Sequence, residues 1–139
     1  MRINVVIPAR YASTRFPGKP LVDINGMSMI QRVYTQATQA TLIDDVFVAT
    51  DDERIFKHVE AFGGKVIYTS TEHESGTDRI AEAYTKIPSC DYIINVQGDE
   101  PFINPKQIDD LARLMISTSG ELGTMVKVIE DEETLFNPN

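Results

Sequence analysis

The sequence predicts a doubly wound α/β fold, a mostly parallel sheet between two helical layers in a three-layer α/β/α arrangement. Short β-branched runs alternate with segments of helical spacing, and the shorter runs are apolar on both faces, as strands covered on both sides must be. The chain has 139 residues, 42% of them apolar, which suits one domain with a buried core. We therefore expect residues 1–139 to form a single domain.

The predicted strands are runs rich in Val, Ile and aromatic residues. They are Ile3–Ile7, Asp45–Thr50, Lys65–Tyr68, Tyr92–Val96 and Leu122–Ile129. Between them, apolar residues recur at intervals of three and four, which predicts an amphipathic helix in each gap. These helices are centred on Ile30–Ala37, Ile55–Phe62, Ile80–Ile87 and Ile108–Met115. The resulting order, strand and helix in strict alternation, predicts parallel strands joined by right-handed crossovers.

Residues that begin and end helices support this alternation. Ser28 with Gln31 forms a capping box, and Asn104 precedes a proline at the start of the last helix. Gly63–Gly64 follows the second helix, where a left-handed residue commonly ends a helix. For the third helix we expect Thr77 to be the N-cap.

Composition excludes several classes of protein. The net charge is -8, from 13 basic and 21 acidic residues, which argues against a general nucleic-acid binder. The chain lacks both a run of about 18 apolar residues and a signal-peptide pattern, so we expect neither membrane insertion nor secretion. A lone cysteine, Cys90, cannot form an intrachain disulfide, and a reducing cytoplasm is the expected setting.

A basic segment stands out against this acidic average. Residues 1–22 carry four cations and no acid, and the loop after the first strand contains Arg10, Ser13, Arg15, Gly18 and Lys19. Guanidinium groups bind phosphate oxygens bidentately, lysine adds a mobile charge, and glycine lets the backbone approach closely. The loop matches neither the common P-loop nor the dinucleotide fingerprint. Phosphate binding is the favoured interpretation, and a merely solvated basic loop is the alternative.

An acidic pair, Asp99 and Glu100, follows the fourth predicted strand. Carboxylate oxygens at a strand's carboxyl end suit Mg²⁺, which keeps several waters and shares substrate phosphates. A turn leading to the Asn104 cap is an equally good explanation when this pair is taken alone. In open α/β sheets, however, ligands bind outside the carboxyl ends of the strands. Convergence of this turn with the basic loop therefore favours a metal site.

The start of the third helix is a weaker candidate. Small residues and free N–H groups at Ser75–Gly76 could contact the edge of a flat base. Taken alone, an ordinary capped helix with a polar face at Asp78 explains the same residues better. Elsewhere, the isolated titratable residues predict no site: Asp51 and Asp52 are expected helix caps, His58 and His73 lack partners at metal-ligand spacing, and Cys90 is expected to be an inert thiol.

Four motifs together resemble the 3-deoxy-manno-octulosonate (Kdo) cytidylyltransferases. These motifs are PARYASTRFPGKPL at Pro8–Leu21, VATD at Val48–Asp51, HESGTDR at His73–Arg79 and NVQGDEP at Asn95–Pro101. The STRxPGK core is shared with other sugar cytidylyltransferases, whereas the pairing of SGTDR with QGDEP points to the Kdo branch. Phe16 is a conservative departure, since family members often have leucine there.

The resemblance implies a nucleotide-diphospho-sugar transferase-like fold and Mg²⁺-dependent transfer of CMP from CTP to the anomeric hydroxyl of Kdo, for lipopolysaccharide biosynthesis. It also implies a role for each matching residue. The expected catalytic residues are Arg10, Lys19 and Asp99, with Asp99 also the Mg²⁺ ligand. The expected substrate-binding residues are Ala9, Ser13 and Arg15 near the phosphates, Ser75, Gly76 and Asp78 near cytosine, and Gln97 near the sugar.

The family extends beyond residue 139, so the resemblance implies that this is an incomplete sheet, the N-terminal nucleotide-binding part of a longer fold. Much of the sugar pocket, a second metal ligand and the contacts of a homodimer would lie in the later part. Two alternatives stay open. The sugar could be another acid, such as amino-Kdo or a sialic-acid-like sugar, or the 139 residues could be a non-catalytic CTP-binding fragment.

Overall fold

A computed structural model describes residues 2–11, 18–69, 76–98, 100–117 and 125–129 of the chain. In chain order the elements are β1 (Ile3–Ala9), a short 3-10 turn (Lys19–Leu21), β2 (Asp23–Ile24), β3 (Met27–Ser28), α1 (Met29–Thr38), β4 (Asp45–Thr50), α2 (Glu53–Ala61), β5 (Lys65–Tyr68), α3 (Gly76–Lys86), β6 (Tyr92–Val96), α4 (Pro105–Ser117) and β7 (Met125–Ile129). The predicted alternation of strands and helices is confirmed.

The main sheet has five parallel strands in the order β5-β4-β1-β6-β7. The first strand is therefore central, and it pairs with β4 on one side and β6 on the other. Successive strands are added outward on one side through β5, and the chain then crosses to build the other side. This reversal creates a switch point at the carboxyl ends of β1 and β6.

Two apolar clusters cover the two faces of the sheet. Alternate residues of β1 separate them, since Val5 and Ile7 face the larger cluster while Val6 faces the smaller one. The larger cluster includes residues of α1, α2 and α4, and the smaller includes Ala83 and Ile87 of the α3 region. Helices thus cover both faces, which confirms the predicted three-layer α/β/α arrangement.

The first strand is two residues longer than predicted. Pro8 and Ala9 continue the ladder with β4, opposite Ala49 and Thr50, whereas the ladder with β6 ends at Val6. Proline cannot donate a backbone hydrogen bond, and it is tolerated here because pairing persists on one side only. The predicted start of the last strand at Leu122 lies outside the described residues.

A small antiparallel hairpin, β2 with β3, was not predicted. Its turn residues Asn25 and Gly26 have φ angles of 53° and 94°, which suits the two-residue turn that Asn-Gly favours. The Arg32 guanidinium donates from α1 to the carbonyl of Ile24 at 2.6 Å. The Asn-Gly pair was the available signal, but strands of two residues carry too little pattern to detect.

The predicted helix ends are largely confirmed. Ser28 Oγ accepts a hydrogen bond from the Gln31 N–H at 3.2 Å, and the Gly63 N–H donates to the carbonyl of Glu60 at 3.0 Å after α2. The prediction for α3 was wrong, because the helix already includes Gly76 and Thr77 therefore lies inside it. Among the described helices, the longest has 13 residues, and none is long and apolar enough to cross a bilayer.

Candidate functional site

Two predicted residues follow the neighbouring strands at the switch point. Arg10 follows the last residue of β1, and Gln97 follows the last residue of β6, the strand beside it. Arg10 is exposed and Gln97 is half-buried, so both can meet a ligand in the crevice between these strand ends. Ala9 is buried with its methyl group in the core, and only its backbone can contact a substrate.

The turn after β6 lies directly against the end of β1. A Cβ atom added to Gly98 would stand 2.9 Å from the backbone oxygen of Pro8, a separation that real Cβ atoms essentially never show. Glycine at this position thus allows the two backbones to approach. The carbonyl of Gln97 accepts a hydrogen bond from the Glu100 N–H at 3.3 Å, which closes the turn. Asp99, the predicted metal ligand within this turn, lies outside the described residues.

The two ends of the basic loop are joined to each other. The Gly18 N–H donates to the carbonyl of Tyr11 at 2.8 Å, and Gly18 has a left-handed backbone with φ of 76°. Arg10 and Lys19, the two predicted phosphate-binding cations, are the next residues outward along the backbone from this hydrogen bond. Pro20 is buried immediately after them. Ser13 and Arg15 lie outside the described residues.

The start of α3 is anchored by a residue for which the sequence predicts no role. Arg79 is fully buried, and its guanidinium donates to Thr69 Oγ1 and, at 3.1 Å, to Asp51 Oδ2. Thr69 follows β5 and Asp51 follows β4, so this one side chain ties the first turns of α3 to two strand ends. The sequence offered only an arginine within SGTDR, and its burial depends on contacts that are distant in the chain.

Of the residues predicted at this helix start, the backbones of Gly76 and Asp78 are described, both within α3. Ser75 and the side chain of Asp78 lie outside the described part of the chain. The structure therefore shows where the helix begins and how it is anchored.

Two neighbouring aspartates have different roles. Asp52 is the N-cap of α2, and its Oδ1 accepts hydrogen bonds from the N–H groups of Arg54 at 2.8 Å and Ile55 at 3.2 Å. The Arg54 side chain, followed by those N–H groups, outweighs partial burial and lowers the pKa of Asp52. The expectation that Asp51 also caps the helix was wrong, because its carboxylate pairs with Arg79 instead.

The remaining titratable candidates have structural roles where they are described. His58 Nε2 lies 2.6 Å from the Oγ of Ser28, between α2 and the start of α1. Cys90 is buried, and burial raises the pKa of its thiol. Within the described ranges, no three His, Cys, Asp or Glu side chains are grouped as metal ligands. His73 lies outside those ranges.

Comparison with known proteins shows the family to which this chain belongs. A sequence model described as cytidylyltransferase matches residues 4–139. The chain belongs to the cytidylyltransferase family. Two curated relatives, both named 3-deoxy-manno-octulosonate cytidylyltransferase, come from Cytophaga hutchinsonii and Parabacteroides distasonis. They are 61% and 53% identical to this chain over 99% and 100% of its length.

A solved member of the cytidylyltransferase family shares the fold. It is CMP:2-keto-3-deoxy-manno-octonic acid synthetase in complex with CTP, which is 49% identical, with a TM-score of 0.84 over 86% of this chain. The match covers 49% of that structure, and the matches above cover 55% and 57% of the two curated relatives. The chain thus spans about half the length of the cytidylyltransferases it matches.

Proposed function

We propose that this chain is the nucleotide-binding part of a Mg²⁺-dependent 3-deoxy-manno-octulosonate cytidylyltransferase. The observation that supports the proposal is the position of Arg10 and Gln97 after the carboxyl ends of two neighbouring strands, with Lys19 just after the hydrogen-bonded end of the basic loop. Arg10 and Lys19 flank the hydrogen-bonded ends of the basic loop, and Gln97 follows the adjacent strand. The names of the relatives and the CTP complex of the solved family member support the same activity.

The proposed reaction is an in-line displacement at phosphorus. The anomeric oxygen of Kdo attacks the α-phosphorus of CTP, the bond from that phosphorus to the oxygen bridging the β-phosphate breaks, and pyrophosphate leaves. The hydroxyl proton passes to solvent. Charge develops on the phosphate oxygens during this step, and catalysis of phosphoryl transfer consists mostly of positioning and charge stabilisation.

Each proposed residue contributes to one part of this reaction. Arg10 and Lys19 hold the phosphates and stabilise the charge of the leaving pyrophosphate, with assistance from Ser13 and Arg15. The backbone of Ala9 borders the same crevice, and Gln97 faces the sugar. Ser75, Gly76 and Asp78 at the start of α3 contact cytosine. The anchoring of that helix by Arg79 supports this assignment, because it fixes the helix start beside the strand ends.

The residues around position 99 fit a hard divalent cation. In the sequence, Asp99 stands between Gly98, which allows close backbone approach, and Glu100, which adds a second carboxylate. When bound, Mg²⁺ would neutralise phosphate charge, and Asp99 would be the protein ligand that holds it. We further expect a homodimer in the cytoplasm, with the rest of the sugar pocket supplied by sequence beyond residue 139.

Calorimetric CTP binding, combined with pyrophosphate release from CTP, Mg²⁺ and Kdo, tests the proposal. The 139-residue chain is expected to bind CTP without releasing pyrophosphate, and the intact protein is expected to do both. Release by the 139 residues would contradict our division of the site between the two parts. Absence of CTP binding by the intact protein would overturn the nucleotide site itself. A preference for amino-Kdo or a sialic acid over Kdo would change the sugar and leave the chemistry in place.

A further inference from the structure

A side chain outside the predicted site contacts the base of the basic loop. The guanidinium carbon of Arg54, in the first turn of α2, lies 3.2 Å from the ring centroid of Tyr11. A cation over the face of an aromatic ring is attracted by the negative face of the ring. Tyr11 also packs against the main apolar cluster, so this contact connects α2, the loop and the core.

The Arg54 side chain is itself held in place. Its Nη2 donates to Asp52 Oδ2 at 2.8 Å and its Nε donates to Asp52 Oδ1 at 3.2 Å, which makes a bidentate pair. The same Asp52 carboxylate caps α2. The guanidinium therefore lies between a fixed carboxylate and the ring, and it holds the ring against a rigid helix end.

The Tyr11 ring lies close to Gly18, at the other end of the loop. A Cβ atom on Gly18 would stand 3.0 Å from Cε2 of Tyr11, and the Gly18 N–H donates to the Tyr11 carbonyl at 2.8 Å. Tyr11 thus contacts the far end of the loop through both its backbone and its ring. Arg10 and Lys19 adjoin these two contacts, so the ring and its cation fix the separation of the two phosphate-binding residues.

We propose that Tyr11 and Arg54 are positioning residues that hold the two ends of the phosphate-binding loop together for CTP. This inference rests on the proposed function, because it takes Arg10 and Lys19 as the phosphate ligands. Arg54 acts through the Tyr11 ring and does not touch the nucleotide. Loss of either side chain weakens CTP binding and leaves the sugar site unchanged.

Arg54→Ala in the intact protein is the central test, with Arg113→Ala as its control. Both arginines are similarly exposed, 59% and 60%, and both pair with an aspartate at 2.8 Å, but Arg113 lies on α4 away from the loop. Arg54→Ala is expected to raise the CTP dissociation constant about three- to fivefold, the size of an exposed cation–π contact. The KM for Kdo should stay as in the unsubstituted protein, and the melting temperature should fall only slightly because the lost Arg54 contacts are exposed. Arg113→Ala should change neither the CTP dissociation constant nor the KM for Kdo.

Substitutions of Tyr11 test whether Arg54 acts through the Tyr11 ring or contacts the nucleotide directly. Tyr11→Leu is expected to weaken CTP binding about tenfold, and Tyr11→Phe to rescue most of that loss, because the ring contacts Arg54 and makes the closest approach to Gly18. In the double variant Tyr11→Leu/Arg54→Ala, the effects should not add, since Arg54 acts through the ring. Additive effects would overturn the indirect role of Arg54, and unchanged CTP affinity in Arg54→Ala would overturn the inference. Failure of the unsubstituted protein to bind CTP would instead overturn the proposed function on which it rests.

Discussion

At the scale of single residues, the Arg79 guanidinium is a charged group that is fully buried and depends on its partners. A charge removed from water is tolerated only when paired and hydrogen-bonded, and Asp51 supplies the carboxylate for it. Removing one partner of such a pair lowers the free energy of unfolding by more than the pair itself contributes, because the other charge stays buried. The stability of the sheet edge thus depends on a residue that also borders the candidate site.

Asp51→Ala is expected to destabilise the protein by about 3 kcal/mol, because the Arg79 guanidinium then loses the Asp51 carboxylate while remaining buried. Urea unfolding of the intact protein measures this change. Asp110→Ala is the matched control, since it removes a carboxylate from an exposed pair with Arg113 and should cost under about 0.5 kcal/mol. Equal losses in the two variants would show that burial of the Arg79 pair has no special importance.

Asp99→Asn tests the proposed metal ligand. Amide replaces carboxylate with little change in size, so the fold is expected to persist while Mg²⁺-dependent pyrophosphate release falls by about 100-fold or more, as on loss of a key electrostatic group. Initial rates against Mg²⁺ concentration in the intact protein give the measurement. Asp110→Asn, on the exposed face of α4, should keep the original rate. Near-normal turnover of Asp99→Asn would rule out the metal role.

At the scale of elements, sequence pattern predicted the strands and helices well because their signals are local. Runs of Val and Ile predict buried strands, and Ser28 predicts its helix start through a contact three residues away. The extension of β1 through Pro8 was missed because it depends on which side of the strand stays paired. For the candidate site, the placement of Arg10 and Gln97 after neighbouring strands follows from topology, whereas the contacts of Arg79 and Tyr11 depend on residues distant in the chain.

The end of α2 gives a prediction at this scale. Gly63 has φ of 85° and would have nothing within 4 Å of an added Cβ, so substitution there acts through backbone strain alone. Gly63→Ala is expected to lower the free energy of unfolding by about 1 kcal/mol. Gly63→Asn should lose less, because asparagine tolerates the left-handed conformation better. Thermal unfolding of both variants checks the order, and an Ala variant at least as stable as the Asn variant would contradict it.

At the scale of the whole molecule, charge and stability are linked through carboxylates on different elements. The Lys65 side chain is the main influence that lowers the pKa of Asp45, and the Arg54 side chain has the same effect on Asp52. For Asp109, burial alone would raise the pKa, but hydrogen bonds from Thr41 and Leu42 outweigh it and lower the pKa. All three groups favour the folded state when ionised.

Acid is therefore expected to destabilise the protein. A carboxyl group whose pKa is lower in the folded state contributes stability above its unfolded pKa, near 4, and loses that contribution as pH falls through its folded pKa. Asp109→Asn should be less stable than the unsubstituted protein at pH 7, and the difference should shrink below about pH 4. Urea unfolding from pH 7 to pH 3 measures both. A difference that stays constant with pH would show that ionisation of Asp109 contributes nothing.

The central position of β1 has a consequence for the order in which the chain folds. This strand completes its pairing only when β4 has joined one side and β6 the other, and the β6 pairing joins Ile3 to Tyr92. Contacts this distant in sequence slow folding, because a long loop must close before they form. During synthesis, the strands up to β5 can assemble first, and the Gln97 side of the crevice is added only after most of the 139 residues have been made.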